Sequence, residues 1–330
     1  MLEVSNLLLS MYDEAQHAPL GEYIDNTFRR IQKLLRFDSA GIVSFGIASS
    51  GDLEFKGGYA FQISAEEKLK ARLDLNLQER FVPGQGLVGS DPILSKAFRL
   101  KKQCHFMNLE AVTDKRLVEY GKRTASINTL AIVTDDPNSA GYSCVSLWRS
   151  GRRDVYFDEH AMLGNILLPH LLTGLGINRK LLSAHSPAEV AFPAPIICSL
   201  EGFINFIDDD VSHFLQVQFA NWLPPFLPKV VLDTLRANSA MRYSCDSFSA
   251  EGRLYGNLLL VSIVKTRTPA VLTKTELAVA RLLAADVSYK EIASQLHTSP
   301  ATVRNQAHSI YQKLKVSKKS AVGAALNMQQ

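Results

Sequence analysis

The spacing of apolar side chains divides the chain into a front where strand-like and helix-like runs alternate and a tail that is helical throughout. In the front, helical periodicity over 23–35 is followed by apolar runs at 40–48 and 53–63 that predict strands. A charged helix is expected over 65–75, a short helix around 93–99 and an extended segment over 103–109. Strands are expected over 129–134 and 142–148, and a long helix over 158–175. Further on, 195–207 and 254–264 read as strands flanking a short helical middle. Two Pro-punctuated stretches, 181–196 and 264–271, interrupt the periodicity and are expected to be linkers. The implied domains are 1–182, 193–266 and 268–330.

In the tail, capping chemistry predicts where helices begin. Thr273 and Glu276 have the spacing of a capping box, in which a hydroxyl and a carboxylate satisfy each other's orphan backbone N–H groups; Ser288 and Glu291 repeat it. Ser299 precedes Pro300, which loses nothing at a first helical position, and Ser317 can open a fourth helix. Leu277, Ala280 and Leu282 or Leu283 are expected to face inward, with Ile292, Ala293 and Leu296 on the second helix. On the third, Val303, Ala307, Ile310 and Leu314 form one stripe. Only His297, Thr298 and Ser299 separate the second and third helices, the short turn of a helix-turn-helix. The third helix then presents Arg304, Asn305, His308, Gln312 and Lys315 outward. Arg pairs bidentately with guanine and Asn with adenine in a major groove, so Arg304, Asn305 and His308 are candidate base contacts. Thr302, Ser299, Lys290, Lys313, Lys318 and Lys319 are candidate phosphate contacts.

Charge sharpens this picture. The 330 residues carry a net +4, yet positions 269–330 hold eight Lys or Arg against three acids, so the rest of the chain sums to −1. A localised basic surface suits a polyanionic partner, double-stranded DNA. The 46% apolar content suits a globular chain. Apolar stretches such as 163–175 are interrupted by Asn165, Pro169 and His170 and fall short of the ~20 residues a membrane span needs. The N-terminus carries Glu3, Asp13 and Glu14 and no basic start, unlike a signal peptide, so a cytoplasmic location is expected. The four cysteines have no metal-ligand spacing and read as reduced thiols.

The stretch from Leu272 to Val316 resembles the LuxR/FixJ-type helix-turn-helix of transcription regulators. The resemblance rests on Leu272-Thr273 with Glu276, Lys290-Glu291-Ile292-Ala293, Leu296, Ser299, Thr302-Val303-Arg304, and Lys313-Leu314 with Val316. It implies that Arg304 and the positions on the same face just after it contact bases. Asp286 departs from the family pattern, where a glycine is usual, as does Gln306, where a histidine is common.

Two further resemblances concern the front. The glycine-rich PGQGLVG at 83–89 lacks the Lys-Ser/Thr of a P-loop and reads as a turn. With the helix and strand after it, and the ending at 142–175, it is similar to a GAF domain over roughly 20–180. Residues 193–266 resemble a small PAS domain, with a closing hairpin around Glu251-Gly252. Both families imply a ligand-binding or dimerising sensor with an apolar pocket, for which Tyr59, Phe61 and Trp148 are candidate lining residues. Cys104-His105 is too little for bilin attachment. Asp135-Asp136 and Asp208-Asp209-Asp210 read as turn residues, and no catalytic residue, metal site or cofactor is indicated.

The expected fold is therefore an α+β sensor region, GAF-like then PAS-like, followed by an all-α four-helix helix-turn-helix domain. The expected function is a non-enzymatic DNA-binding regulator responding to a small-molecule effector or other signal. A homodimer is expected because single modules grip DNA weakly, and RNA polymerase stays open as a further partner. The alternative is a constitutive DNA-binding regulator whose front only dimerises or binds a partner protein.

Overall fold

A computed structural model describes residues 2–136, 141–184, 192, 195–265, 272–314, 316 and 318–327. They form two compact units, one of 1–244 with 249–264 and the other of 245–248 with 265–330. Most of the first linker stretch and residues 266–271 of the second lie outside the described residues.

The first unit opens with two helices, α1 (Leu2–His17) and α2 (Leu20–Leu34). α1 is absent from the sequence reading, although Leu7, Met11 and Ala15 lie buried at helical spacing on it. There follow β1 (Ser39–Ile47), β2 (Leu53–Phe61), α3 (Ala65–Asp74), the hairpin β3 (Glu79–Val82) and β4 (Gly86–Gly89), α4 (Pro92–Arg99) and β5 (His105–Met107). Then come α5 (Lys115–Arg123), β6 (Asn128–Asp135), β7 (Tyr142–Arg149) and α6 (Asp158–Ala184). The glycine-rich loop is indeed a turn: Gly84 and Gly86 take φ values of 80° and 81°, which side chains rarely adopt.

Five strands form one antiparallel sheet in the order β2-β1-β7-β6-β5. Strand alternation sends Ala40, Ile42, Leu130, Ile132, Val145 and Leu147 to one face, where they share a core with α1, α2 and α6. The interruptions read in α6 do not break it. The helix continues past Pro169, and its polar residues tie it to neighbours. Asn165 Oδ1 accepts from Cys104 N at 2.6 Å, His170 meets Tyr12 Oη at 2.7 Å, and Asn178 donates to Ala15 O and Ala18 O. Over Asp158–Leu182 it is long and apolar enough to cross a membrane, which corrects the shorter span expected, but half of that window is buried in the fold.

The unit continues with β8 (Ile196–Ser199), β9 (Ile204–Phe206), α7 (Asp209–Gln218), α8 (Lys229–Ala237), β10 (Arg242–Ser244), β11 (Phe248–Tyr255) and β12 (Leu258–Lys265). Its sheet order is β10-β11-β12-β8-β9. The closing turn falls at Gly256-Asn257, not at Glu251-Gly252. The latter pair sits inside β11, where Glu251 is opposite Arg242. β9 lies against β2: Asn205 Nδ2 donates to Gly58 O at 2.8 Å, and Lys56 Nζ pairs with Asp209 at 2.7 Å. The acidic runs are thus more than turns. Asp208 caps α7, and Asp136 is buried, accepting from Ser143 Oγ at 2.7 Å with Arg179 at 4.0 Å.

The second unit holds α9 (Lys274–Ala284), α10 (Tyr289–Gln295), α11 (Pro300–Leu314), a 3-10 turn at Lys319–Ala321 and α12 (Val322–Asn327). Ser317, the expected fourth cap, lies outside the described residues. The core gathers Val279, Ala280, Leu283, Ile292, Ala293, Val303, Ala307, Ile310, Leu314 and Val322. Val279, rather than Leu277, is fully buried on α9.

Candidate nucleic-acid interface and ligand cavity

Both capping boxes close. Thr273 N donates to Glu276 Oε2 at 2.8 Å and Glu276 N to Thr273 Oγ1 at 3.2 Å; Ser288 and Glu291 do the same at 3.0 and 3.4 Å. Glu276 has a second task that sequence reasoning missed. Its Oε1 accepts from Ser309 Oγ at 2.8 Å, tying the start of α9 to α11 through a carboxylate that is 8% exposed. Only the 33-residue separation hid this bond, because neither residue type is unusual where it stands. Tyr289 Oη and Tyr311 Oη, 3.1 Å apart, tie α10 to α11.

The turn between α10 and α11 is short because His297 takes a left-handed φ of 50°, letting Thr298 N bond back to Ala293 O at 2.9 Å. Asp286 is also left-handed (φ 60°), which accounts for the glycine usual there. Its carboxylate pairs with Lys319 at 2.7 Å, and this hydrogen bond and the ammonium charge hold the Asp286 carboxyl below the usual range. Ser299 Oγ accepts from Thr302 N at 3.1 Å, so α11 begins with the expected cap.

Around α11, Val303, Ala307 and Ile310 point into the core while Arg304, Asn305 and His308 are exposed on the other side. Ser299, Thr302, Lys290 and Lys318 are exposed as well. Lys319 is only partly so, since it is engaged with Asp286. The side chains of Gln312 and Lys313, and all of Lys315, lie outside the described residues. Gln306 is half-buried beside the exposed row.

On the first unit, the sheet face opposite α1, α2 and α6 bounds a cavity of about 370 Å³. Its floor is the alternate set Gly41, Val43, Thr129, Ala131, Cys144, Ser146 and Trp148. α3, α4 and α5 cover it with Lys68, Arg72, Ile93, Leu94, Leu117 and Tyr120. Gly41 is required here: a Cβ would meet Trp148 Cη2 at 2.7 Å, so its absence lets the indole lie against the sheet. Trp148 therefore lines the cavity as expected. Tyr59 borders it, but strand alternation places its ring on the opposite face, where Arg179 lies 5.8 Å from the ring centre. Phe61 is not a lining residue. Paired with Ala40, it sits in the core against Phe28 and Phe37 at 5.4 and 6.1 Å. Strand parity decides between these three aromatics, and apolar composition alone does not reveal it.

The charged groups of the lining come from α3, expected as a charged helix, and from β3 and Asp91, which the sequence pattern did not single out. Arg72 holds Glu79 and has Asp91 at 3.6 Å, while Asp91 Oδ1 caps α4 by accepting from Ile93 N and Leu94 N. Lys68, 8% exposed, places Nζ 3.5 Å from the Trp148 ring centre and 5.1 Å from that of Tyr120. Burial, helped by the Arg72 charge, lowers its pKa to about 7. Cys104 lies in the helix-side core, not in the cavity, and burial pushes its thiol up to about 12.

Residues 270–324 match the family described as bacterial regulatory proteins, luxR family, and the second unit is a LuxR-type helix-turn-helix domain. No curated protein matches the chain. Among solved structures, Escherichia coli SdiA is similar at 12% identity over 97% of this chain and 95% of its own, with a TM-score of 0.37. The N-acylhomoserine lactone-dependent LuxR family transcription factor CepR2 of Burkholderia cenocepacia gives 12%, 53%, 94% and 0.37 in the same terms. A phycoerythrobilin-bound GAF domain of a cyanobacterial phytochrome gives 11%, 53%, 95% and 0.35.

Proposed function

We propose that this chain, whose C-terminal unit is a LuxR-type helix-turn-helix domain, is a cytoplasmic transcription regulator. It binds double-stranded DNA as a homodimer and is controlled by a small molecule held in the front unit. The observation that carries the DNA reading is the outward row Arg304, Asn305 and His308 on a helix whose other side is core. Such a helix, capped at Ser299, fits a major groove with its N-terminal half against base edges. Ser299, Thr302, Lys290 and Lys318, all exposed, are read as phosphate contacts, with Lys313 and Lys319 as further candidates. RNA polymerase is the partner through which an activator of this kind would act.

The front unit is read as a GAF-like and a PAS-like module, 1–182 and 193–266, joined to the DNA-binding module at 268–330. An effector in the cavity touches both halves of the unit, because Phe203 and Pro225 line it together with Phe55, and Phe55 and Phe203 stack edge to face at 5.8 Å. Binding would shift the population of arrangements rather than create a new one. Dimerisation is supported by apolar side chains left in solvent on two neighbouring helices, Leu2 and Leu9 on α1 and Met162 and Ile166 on α6.

Titrating the full chain with duplex DNA at several salt concentrations tests the DNA reading. Log affinity should fall linearly with log salt, and Lys290→Ala should reduce the slope by about 0.9. Affinity insensitive to salt would exclude this interface.

A further inference from the structure

We propose that the cavity of the front unit takes a monoanionic organic acid with an apolar body, its carboxylate seated on Lys68 Nζ. This rests on reading the cavity as the effector site and names the chemical class of the effector.

The charges of the lining are unevenly satisfied. Arg72 is held by two carboxylates, Glu79 at its guanidinium and Asp91 at 3.6 Å, and Asp91 is occupied further as the cap of α4 while acting on Lys68 only at longer range. Lys68 is enclosed to the same degree as a core residue, yet among the described residues no carboxylate lies within ion-pair distance of it. What surrounds its ammonium is the face of Trp148, the face of Tyr120 and the Tyr120 hydroxyl at 3.5 Å. Buried cations are ordinarily paired, since an ammonium out of water loses its hydration. Two ring faces recover part of that. An incoming carboxylate would supply the rest.

The donor set also fixes the kind of anion. One ammonium and one phenol hydroxyl suit a single carboxylate and are too few for a phosphate dianion. The remaining wall is mostly apolar, with Phe45, Phe55, Leu94 and Leu117 among its residues and the Thr129 and Ser146 hydroxyls on the floor, and calls for a hydrocarbon or aromatic body.

Proton linkage gives the proposal a signature. The titratable groups facing Lys68 are Arg72 on its own helix, Glu79 on β3, Asp91 ahead of α4, Tyr120 on α5 and Cys144 on β7. Of these, Arg72 opposes the ammonium and Asp91 favours it. Because the unliganded amine titrates at about 7, a bound carboxylate draws a proton onto it. Affinity for an acid is then flat below that pH and falls above it, towards tenfold per pH unit. Affinity for a neutral ligand does not change.

The test uses the full chain and calorimetric titration with four probes, 3-phenylpropanoate, octanoate and their primary amides, at about pH 6.5 and about pH 8.5. At the lower pH an acid should bind about tenfold or more tightly than its amide, and the preference should shrink about tenfold at the higher pH. Lys68→Met should abolish the preference and Lys68→Arg should keep it. Equal binding of acid and amide, or an acid preference that survives Lys68→Met, overturns the acid proposal and leaves the effector reading standing. If none of the four probes binds, the effector reading falls and the acid proposal with it.

Discussion

Two enclosed charges, Glu276 in the helical unit and Lys68 in the front unit, are held in opposite ways. In the helical unit the enclosed carboxylate of Glu276 is fully employed, closing a capping box with one oxygen and accepting from Ser309 with the other. In the front unit the enclosed ammonium of Lys68 rests on two aromatic faces beside a cavity of about 370 Å³. The first arrangement is complete within the domain, in keeping with the proposal that its partner is met on the surface at Arg304, Asn305 and His308. The second is incomplete, and recognition there belongs in the interior. A buried polar network that is satisfied stiffens a fold, whereas one left partly satisfied stores a demand that a ligand can meet.

The comparison can be broken first at the front unit's sheet, whose two faces should respond differently. Phe61→Ala, on the core face, should cost about 3–5 kcal/mol, and Trp148→Leu, on the cavity face, less than half of that. Denaturant unfolding checks this in Phe61→Ala by tryptophan fluorescence, because Trp148 and Trp222, both in the front unit, are the protein's two tryptophans. For Trp148→Leu the remaining Trp222 reports. Next comes Lys68 itself. Its folded pKa is lowered to about 7 from 10.5, so the unfolded chain binds the extra proton between these values. The Lys68 contribution to stability should therefore rise between about pH 7 and pH 9, below the range in which the buried thiols Cys104, Cys144 and Cys198 act in the opposite sense, by roughly 2–3 kcal/mol relative to Lys68→Met. A wild-type profile parallel to that of Lys68→Met would remove the buried ammonium from the account.

Smaller effects separate the helical unit's interior from its surface. Glu276→Ala removes a cap and the Ser309 tie and should cost about 1–3 kcal/mol, seen as faster amide exchange along α11, while Glu276→Gln keeps most of both bonds. Lys319→Met breaks an exposed pair with Asp286 and should change the same exchange rates by less than about 0.5 kcal/mol.

The two units were unequally legible for a physical reason. Helix starts in the second unit are written in residues three apart, Thr273 with Glu276 and Ser288 with Glu291, so a local reading finds them. The sheet and the long helix of the first unit were also recognisable by period. α5 was not, because nine residues that bury only Leu117 and Gly121 span too little of a helical period, and α1 was missed although Leu7, Met11 and Ala15 carry the period along it. The cavity was beyond local reading altogether. Whether Phe61 or Trp148 faces it depends on the parity of strands paired over a hundred residues apart, and Lys68 looks like any surface lysine of a charged helix until α5 and β7 close over it. Conversely, Asp286 stood out against the family pattern, and its left-handed backbone gives the reason.

Sequence-specific DNA binding, as proposed, rests on the outward row of α11, Arg304, Asn305 and His308. Selecting duplexes from a random pool with the full chain, and repeating the selection with Arg304→Ala, tests it directly. The predicted result is a loss of about 1–3 kcal/mol concentrated at one base pair of the preferred site, with fold and salt slope nearly unchanged. A variant that selects the same sequences with the same affinity would contradict it.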